Sequence, residues 1–125
     1  MMTLNSRSVI AANLAYAALL LLLGVLPGVP EIAPGVSDSA AHGIAYAGFA
    51  ALLFVSFLPR VGKRKAAVVS VLGAIGYGGL VEALQIFQPA RSVEIRDIVA
   101  NSVGAVIAAL VLYLVLGLRA GERDG

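Results

Sequence analysis

Four long apolar segments constrain the fold of this chain more than any other feature. They are almost free of charge and cover residues 9–26, 40–58, 66–87 and 98–118. A bilayer core of about 30 Å needs about 20 helical residues, and all four segments have a suitable length. In lipid, a segment of this kind satisfies its backbone groups as a helix. The sequence therefore predicts an all-α, polytopic membrane protein, a bundle of four transmembrane helices that forms a single domain over residues 1–125.

Composition excludes several other classes of protein. Hydrophobic residues make up 60% of the chain and charged residues only 13%, whereas about a quarter of the residues in soluble domains are charged. The chain has no cysteine, which excludes disulfides, thiolate metal sites and cysteine nucleophiles. We expect no nucleic acid partner.

The basic residues predict the orientation of the helices. Short loops rich in Lys and Arg stay in the cytoplasm. Both termini and the loop over residues 59–65 are therefore predicted inside, and the connectors 27–39 and 88–97 outside. The first apolar segment resembles a signal peptide, but no small-x-small cleavage site follows it, so we expect it to remain as a span. The basic residues on the inner side are Arg7, Arg60, Lys63, Arg64, Lys65, Arg119 and Arg123.

With this orientation, polar side chains collect at the outer ends of three helices. On each helix a spacing of three or four residues places them on one face. They are Asp38, His42 and Tyr46 on the second helix, Glu82 and Gln85 on the third, and Asp97 and Asn101 on the fourth. The outer connector adds Arg91, Glu94 and Arg96. We therefore predict one outward-facing polar pocket.

Glu82 is the strongest single candidate in this group. Ionisable residues inside a span are costly and usually face the protein interior or a wet cavity. Small residues precede Glu82 at intervals of four and should let its face of the helix pack closely against the neighbouring helices. That stripe consists of Ser70, Ala74, Gly78 and Glu82. We expect Arg91 or His42 to be the partner of Glu82.

Several of these residues also have structural explanations that the sequence leaves open. Asp38 is a good N-cap for its helix, and Asp97 complements the positive end of the fourth helix. Gln85 and Asn101 suit hydrogen bonds between helices. Tyr46 suits packing, and Arg96 suits an interaction with lipid headgroups.

The functional hypothesis assigns two kinds of role to the pocket. His42, Asp38 and Glu82 are candidates for acid–base chemistry. Arginine presents a forked donor that suits phosphate, so the expected ligand is a membrane lipid or a lipid-linked envelope precursor. Because no motif activates a nucleophile, the sequence leaves open whether the protein is an enzyme. The candidate ligand-binding residues are Gln85, Arg91, Glu94, Asp97, Asn101 and Tyr46.

A metal site is the less favoured interpretation of the same residues. Asp38, His42, Glu82 and Asp97 have donor atoms that metals accept. The chain has a single histidine and no recognised metal-binding motif, so we predict no metal and no cofactor.

Two segments resemble the VanZ-like family of small bacterial membrane proteins. Residues 38–46, DSAAHGIAY, are similar to the family's Asp-x-x-x-His-x-x-x-Tyr motif. Residues 82–104 are similar to its second motif, in which Glu82, Gln85, Arg91, Glu94, Asp97, Asn101 and Gly104 match. Ser39 departs from the pattern, since the family often has Lys beside the aspartate.

The resemblance implies a four-helix protein of the bacterial cytoplasmic membrane with a role at the cell envelope. The family is named for a protein that confers low-level resistance to teicoplanin, a lipid-anchored glycopeptide, so a link to such resistance is an expectation here. Two alternatives remain, a small membrane transporter or exporter and a purely structural membrane subunit. The first apolar segment, residues 9–26, contains no Asp, Glu, His, Lys or Arg, which disfavours the exporter, and the sequence does not specify an oligomeric state.

Overall fold

The structure, a computed structural model, describes residues 6–25, 38–85, 87 and 95–124. Near some helix ends it describes the backbone alone, as at Asp38, Gln85 and Arg96. The described residues form four α-helices and confirm the all-α prediction. In chain order these are α1 (Ser6–Val25), α2 (Asp38–Val61), α3 (Lys63–Gln85) and α4 (Ile95–Asp124).

Three of these helices are long and apolar enough to cross a bilayer. The segments are Ala40–Val61 in α2, Lys63–Leu84 in α3 and Asp97–Gly117 in α4. In α1 the apolar segment Arg7–Leu23 is shorter than the roughly 20 residues that a hydrocarbon core requires. The helices indicate a membrane protein, while a fourth span through α1 stays a prediction.

The interior of the bundle contains many small side chains beside a few aromatic rings, whereas many large aliphatic side chains lie on the outside. Ala50, Ala74 and Ala105 are fully buried, whereas Ile44 is 70% exposed and Leu72 is 65% exposed. An apolar exterior of this kind is unfavourable in water. Lipid chains are as apolar as leucine, so the same exterior is compatible with a bilayer, and small residues let the helices approach one another.

The backbones of α2 and α4 are in contact. A Cβ atom on Gly104 would overlap the backbone carbonyl of Gly43, and one on Gly43 would lie 3.3 Å from the carbonyl oxygen of Ala100. Only a residue without a side chain leaves room at Gly104. This contact brings the start of α4 beside the start of α2, where the polar residues of both helices lie.

The predicted stripe of small residues on α3 faces the interior. Ser70, Ala74, Gly78 and Glu82 are all buried. Leu72 and Leu80 on other faces of the same helix are exposed. The stripe therefore packs against the neighbouring helices and carries Glu82 into the bundle, as the spacing predicts.

The corner between α2 and α3 is a single residue, Gly62, in the left-handed conformation with φ 84°. Its amide donates a hydrogen bond to the carbonyl oxygen of Leu58 at 3.1 Å, which satisfies a group at the end of α2. The sequence predicts a loop over residues 59–65, but α2 continues through Pro59. So close to the helix end, the missing amide of Pro59 removes one helical hydrogen bond and does not end the helix.

Side-chain hydrogen bonds attach α1 to α2 and α3. The apolar residues of α1 surround the helix without favouring one face, so a hydrophobic stripe does not orient it. The bonds run from the Tyr16 hydroxyl to the carbonyl of Ala45 and from the Tyr77 hydroxyl to the carbonyl of Ala17, both at 2.5 Å, and from Asn13 Nδ2 to Ser56 Oγ. These contacts orient α1 on the other helices.

Candidate ligand-binding pocket

His42 and Tyr46 lie one turn apart on the same face of α2. The His42 side chain is half-buried, and Tyr46 is only 4% exposed. Asp38, one turn before His42, is the first residue of α2. That position is compatible with the predicted capping role, but the side chain of Asp38 lies outside the described part of the chain.

The other two polar helix ends face the same region. Glu82, close to the end of α3, is 3% exposed, and Asn101, in the second turn of α4, is 2% exposed. Asp97 is half-buried in the first turn of α4, where a carboxylate interacts favourably with the helix dipole. Polar side chains are thus buried at the ends of both helices.

His42, Glu82 and Asp97 converge in space. One ring nitrogen of His42 and one carboxylate oxygen each of Glu82 and Asp97 lie within 4.8 Å of one another. Each of the three helices α2, α3 and α4 therefore supplies one ionisable group to the same cluster. Such a cluster can hold a cation, share a proton or bind a polar ligand.

A cavity of about 80 Å³ opens beside this cluster. Its polar lining comes from His42, Tyr46, Glu82 and Asn101. Its apolar lining consists of Leu20, Leu23, Ala41, Ala45 and Val81. All four helices contribute to the wall, and the volume has room for a few water molecules or one small polar group.

An aromatic layer lies below the cavity, toward the middle of the bundle. Phe49, which is buried, stacks with Tyr16 at a centroid distance of 5.9 Å and contacts Tyr77 at 5.2 Å. Tyr46 meets the ring of Phe49 edge-on at 6.3 Å and also lines the cavity. This layer of aromatic rings therefore borders the polar cavity on the side that faces the middle of the bundle.

Two buried oxygen atoms in this region have no hydrogen-bond partner among the described residues. They are Oδ1 of Asp97 and Oδ1 of Asn101. A buried acceptor without a donor costs about 1–3 kcal/mol of stability, and native structures contain few of them. The pocket thus contains acceptors that a bound donor or cation would satisfy.

Several predicted site residues lie outside the described part of the chain. The connector residues Arg91 and Glu94 belong to this group, as does the side chain of Gln85 at the end of α3. The expected contact between Glu82 and Arg91 falls there too. The roles assigned to these residues stay predictions.

Sequence reasoning missed the apolar half of the pocket wall. Leu20 and Leu23 of α1 line the cavity, but nothing in their sequence context distinguishes them from the other leucines of α1. It also missed Gly43, whose contact with Gly104 joins the two polar helix ends. The glycine lies beside His42 in the sequence, but its partner on α4 becomes evident only in three dimensions.

The model of the family described as VanZ/LLP1 matches residues 39–116, well over half of the chain. The chain belongs to the VanZ/LLP1 family. No curated protein and no solved structure matches it significantly.

The VanZ/LLP1 match covers α3, nearly all of α2, and α4 as far as residue 116. It therefore contains His42, Glu82, Asp97 and Asn101. The match leaves out α1, which adds leucines to the wall of the pocket. The resemblance found in the sequence motifs is confirmed at the level of the family.

Proposed function

We propose that this protein binds a cell-envelope lipid or lipid-linked intermediate in an outward-facing pocket of the bacterial cytoplasmic membrane. The observation that carries the proposal is the two-sided lining of the cavity. His42, Glu82 and Asn101 form a polar side, and Leu20 and Leu23 form an apolar side. A pocket of this composition fits the junction between a polar headgroup and its hydrocarbon chain.

The polar side offers several ways to hold a headgroup. Glu82 accepts hydrogen bonds from hydroxyl groups, Asn101 both donates and accepts, and the imidazole nitrogens of His42 can donate or accept a hydrogen bond. Arg91, in the predicted outer connector, would add a forked donor for a phosphate. These contacts favour a headgroup that combines phosphate with hydroxyl or sugar groups.

We propose that the pocket binds or remodels the lipid, in preference to a defined enzymatic reaction. His42, Asp38 and Glu82 are the candidates for acid–base chemistry. Among the described residues that line the cavity, none is a serine, threonine, cysteine or lysine, so the described wall offers no such nucleophile. A link to glycopeptide resistance is part of the proposal, and membership of the VanZ/LLP1 family supports it.

The proposed topology has four spans with both termini in the cytoplasm, and the absence of cysteine makes it testable with single-cysteine variants. An impermeant thiol reagent should label Glu31→Cys and Ser92→Cys in intact cells. It should label Val61→Cys, at the exposed end of α2, only after the cells are broken. Labelling of Val61→Cys in intact cells would contradict the orientation and the outward-facing pocket.

Lipid binding can be tested by quantifying the lipids that copurify with the protein in mild detergent. Glu82→Gln and His42→Gln keep the approximate size and polarity of the side chains. The amount of specific lipid that copurifies with each variant should fall by at least about tenfold relative to the wild type. The reason is that a hydrogen bond to a charged group contributes about 1.5–3 kcal/mol. Ser70→Ala is the matched control, since Ser70 is buried on the same stripe as Glu82 but bonds the carbonyl of Ala67 instead.

Thermal unfolding of the same variants in detergent distinguishes a binding pocket from a structural lock between helices. A pocket predicts near-normal stability with loss of lipid and loss of protection against a lipid-anchored glycopeptide. If Glu82→Gln and His42→Gln lose stability in step with both readouts, the residues serve the fold and the proposal fails. Undiminished lipid binding in both variants would contradict it as well.

A further inference from the structure

The geometry points to a divalent metal ion bound by His42, Glu82 and Asp97, with Asn101 beside it. The sequence alone disfavours a metal because the chain has one histidine and no familiar ligand spacing. The fold nevertheless gathers one donor atom from each of three helices within 4.8 Å. Ligands about 2.1 Å from an ion are roughly 3–4 Å apart, so side-chain shifts of less than about 1 Å would complete the site.

A second observation points to the same ligand. Oδ1 of Asn101 has no hydrogen-bond partner among the described residues, although the residue is 98% buried and lines the cavity. Oδ1 of Asp97 is likewise buried without such a partner. An ion or its coordinated water would satisfy both acceptors, and a cation between two neighbouring carboxylates would also relieve their repulsion.

The donor set indicates which ions fit. One imidazole nitrogen with two carboxylates suits Zn²⁺ or Mn²⁺. Ca²⁺ and Mg²⁺ prefer oxygen ligands alone, and a site preferring Cu⁺ would have thiolates or thioethers. The cavity of about 80 Å³ leaves room for water on the ion.

The role of the ion rests on the proposed function, whereas its binding does not. An ion at this place would present a positive charge to the phosphate of a lipid headgroup in a pocket that otherwise contains two acidic side chains. The three candidate ligands, His42, Glu82 and Asp97, all lie within the family match. The apolar wall from Leu20 and Leu23 would lie beside the hydrocarbon portion of the lipid.

The direct test uses full-length, tag-free protein in detergent, because a histidine tag binds the same ions. After chelation and dialysis, Mn²⁺ is titrated and the decline of the sharp electron-paramagnetic-resonance signal of free Mn²⁺ is measured. We expect one saturable site per chain and competition by Zn²⁺. Pulsed spectra should contain one imidazole nitrogen coupling, which can come only from His42 because the chain has no other histidine.

His42→Gln and Asp97→Asn should each lower the affinity for Mn²⁺ by at least about tenfold. Even the loss of a residue that only hydrogen-bonds a metal ligand usually lowers the affinity by that much. Ser102→Ala is the matched control on α4, because its hydroxyl bonds the carbonyl of Ile98. It should bind Mn²⁺ as the wild type does. The His42 variant should also lose the nitrogen coupling, a readout that an indirect loss of stability would not specifically produce.

Wild-type protein that binds neither ion saturably, or binds Mn²⁺ without the nitrogen coupling, would overturn the inference. Equal affinity in His42→Gln would do the same. If metal binding fails while lipid retention still depends on Glu82 and His42, the proposed function survives and the metal does not. If the protein binds the metal but retains no specific lipid, the metal site stands and the proposed function fails.

Discussion

The middle of the bundle and its polar end treat buried polar groups differently. In the middle, the hydroxyls of Tyr16 and Tyr77 bond carbonyls of a neighbouring helix, and Ser70 bonds a carbonyl of its own helix. At the polar end, Oδ1 of Asp97 and Oδ1 of Asn101 have no hydrogen-bond partner among the described residues. The three hydroxyl groups of the middle thus have partners within the bundle, as expected because a buried polar group without a hydrogen bond is costly.

The two regions differ in whether the protein itself satisfies their buried polar groups. Asn13 lies between the two cases, since its amide nitrogen bonds Ser56 while its carbonyl oxygen has no partner among the described residues. It lies on α1, away from the cavity lining. The unpaired acceptor of Asn101 differs from that of Asn13, because Asn101 lines a cavity together with the ionisable residues His42 and Glu82.

The largest expected effect tests the packing on which both regions depend. Gly104→Ala should destabilise the protein by about 3 kcal/mol, the upper end for overpacking, because its Cβ would overlap the carbonyl of Gly43. Gly76→Ala is the control, since a Cβ there meets nothing within 4 Å, and it should be neutral or slightly stabilising. Thermal or denaturant unfolding in detergent provides the measurement, and equal stability of the two variants would refute the backbone contact.

A smaller loss is expected when the satisfied groups of the middle are removed. Tyr16→Phe and Tyr77→Phe should each cost about 0.5–1 kcal/mol, because each deletes one hydrogen bond between helices and keeps the ring. Tyr113→Phe is the control, since it keeps the aromatic face that Lys63 covers at 4.7 Å. The same unfolding measurement applies, and no loss in the Tyr16 and Tyr77 variants would mean that α1 is not held by these bonds.

The smallest change in stability is expected at the polar end. Asn101→Leu replaces an unpaired acceptor by an apolar group of similar size, so stability should change by less than about 1 kcal/mol or rise slightly. Lipid retention and Mn²⁺ affinity should nevertheless fall. Ser70→Ala should show the reverse, a small loss of stability with both binding readouts intact. If Asn101→Leu is as unstable as Gly104→Ala, Asn101 belongs to the packing of the bundle.

Helical periodicity explains why much of the site can be predicted from sequence. Residues spaced by three or four lie on one face of a helix whatever surrounds it, so His42 with Tyr46 and Asp97 with Asn101 could be paired in advance. The small-residue stripe that ends at Glu82 could be assigned to the interior for the same reason. The contribution of Leu20 could not, because α1 is apolar on all sides and one leucine there is equivalent to another.

The sequence by itself determined the all-α class, the helices of bilayer length and the polar face of each, because these depend on local hydrophobicity and on the period of the helix. Only the tertiary structure decided that His42, Glu82 and Asp97 lie within 4.8 Å of one another. That distance depends on how closely and at what rotation three separate helices pack. Spacing along one helix contains no such information, whereas the backbone contact at Gly104 determines how α4 is placed against α2.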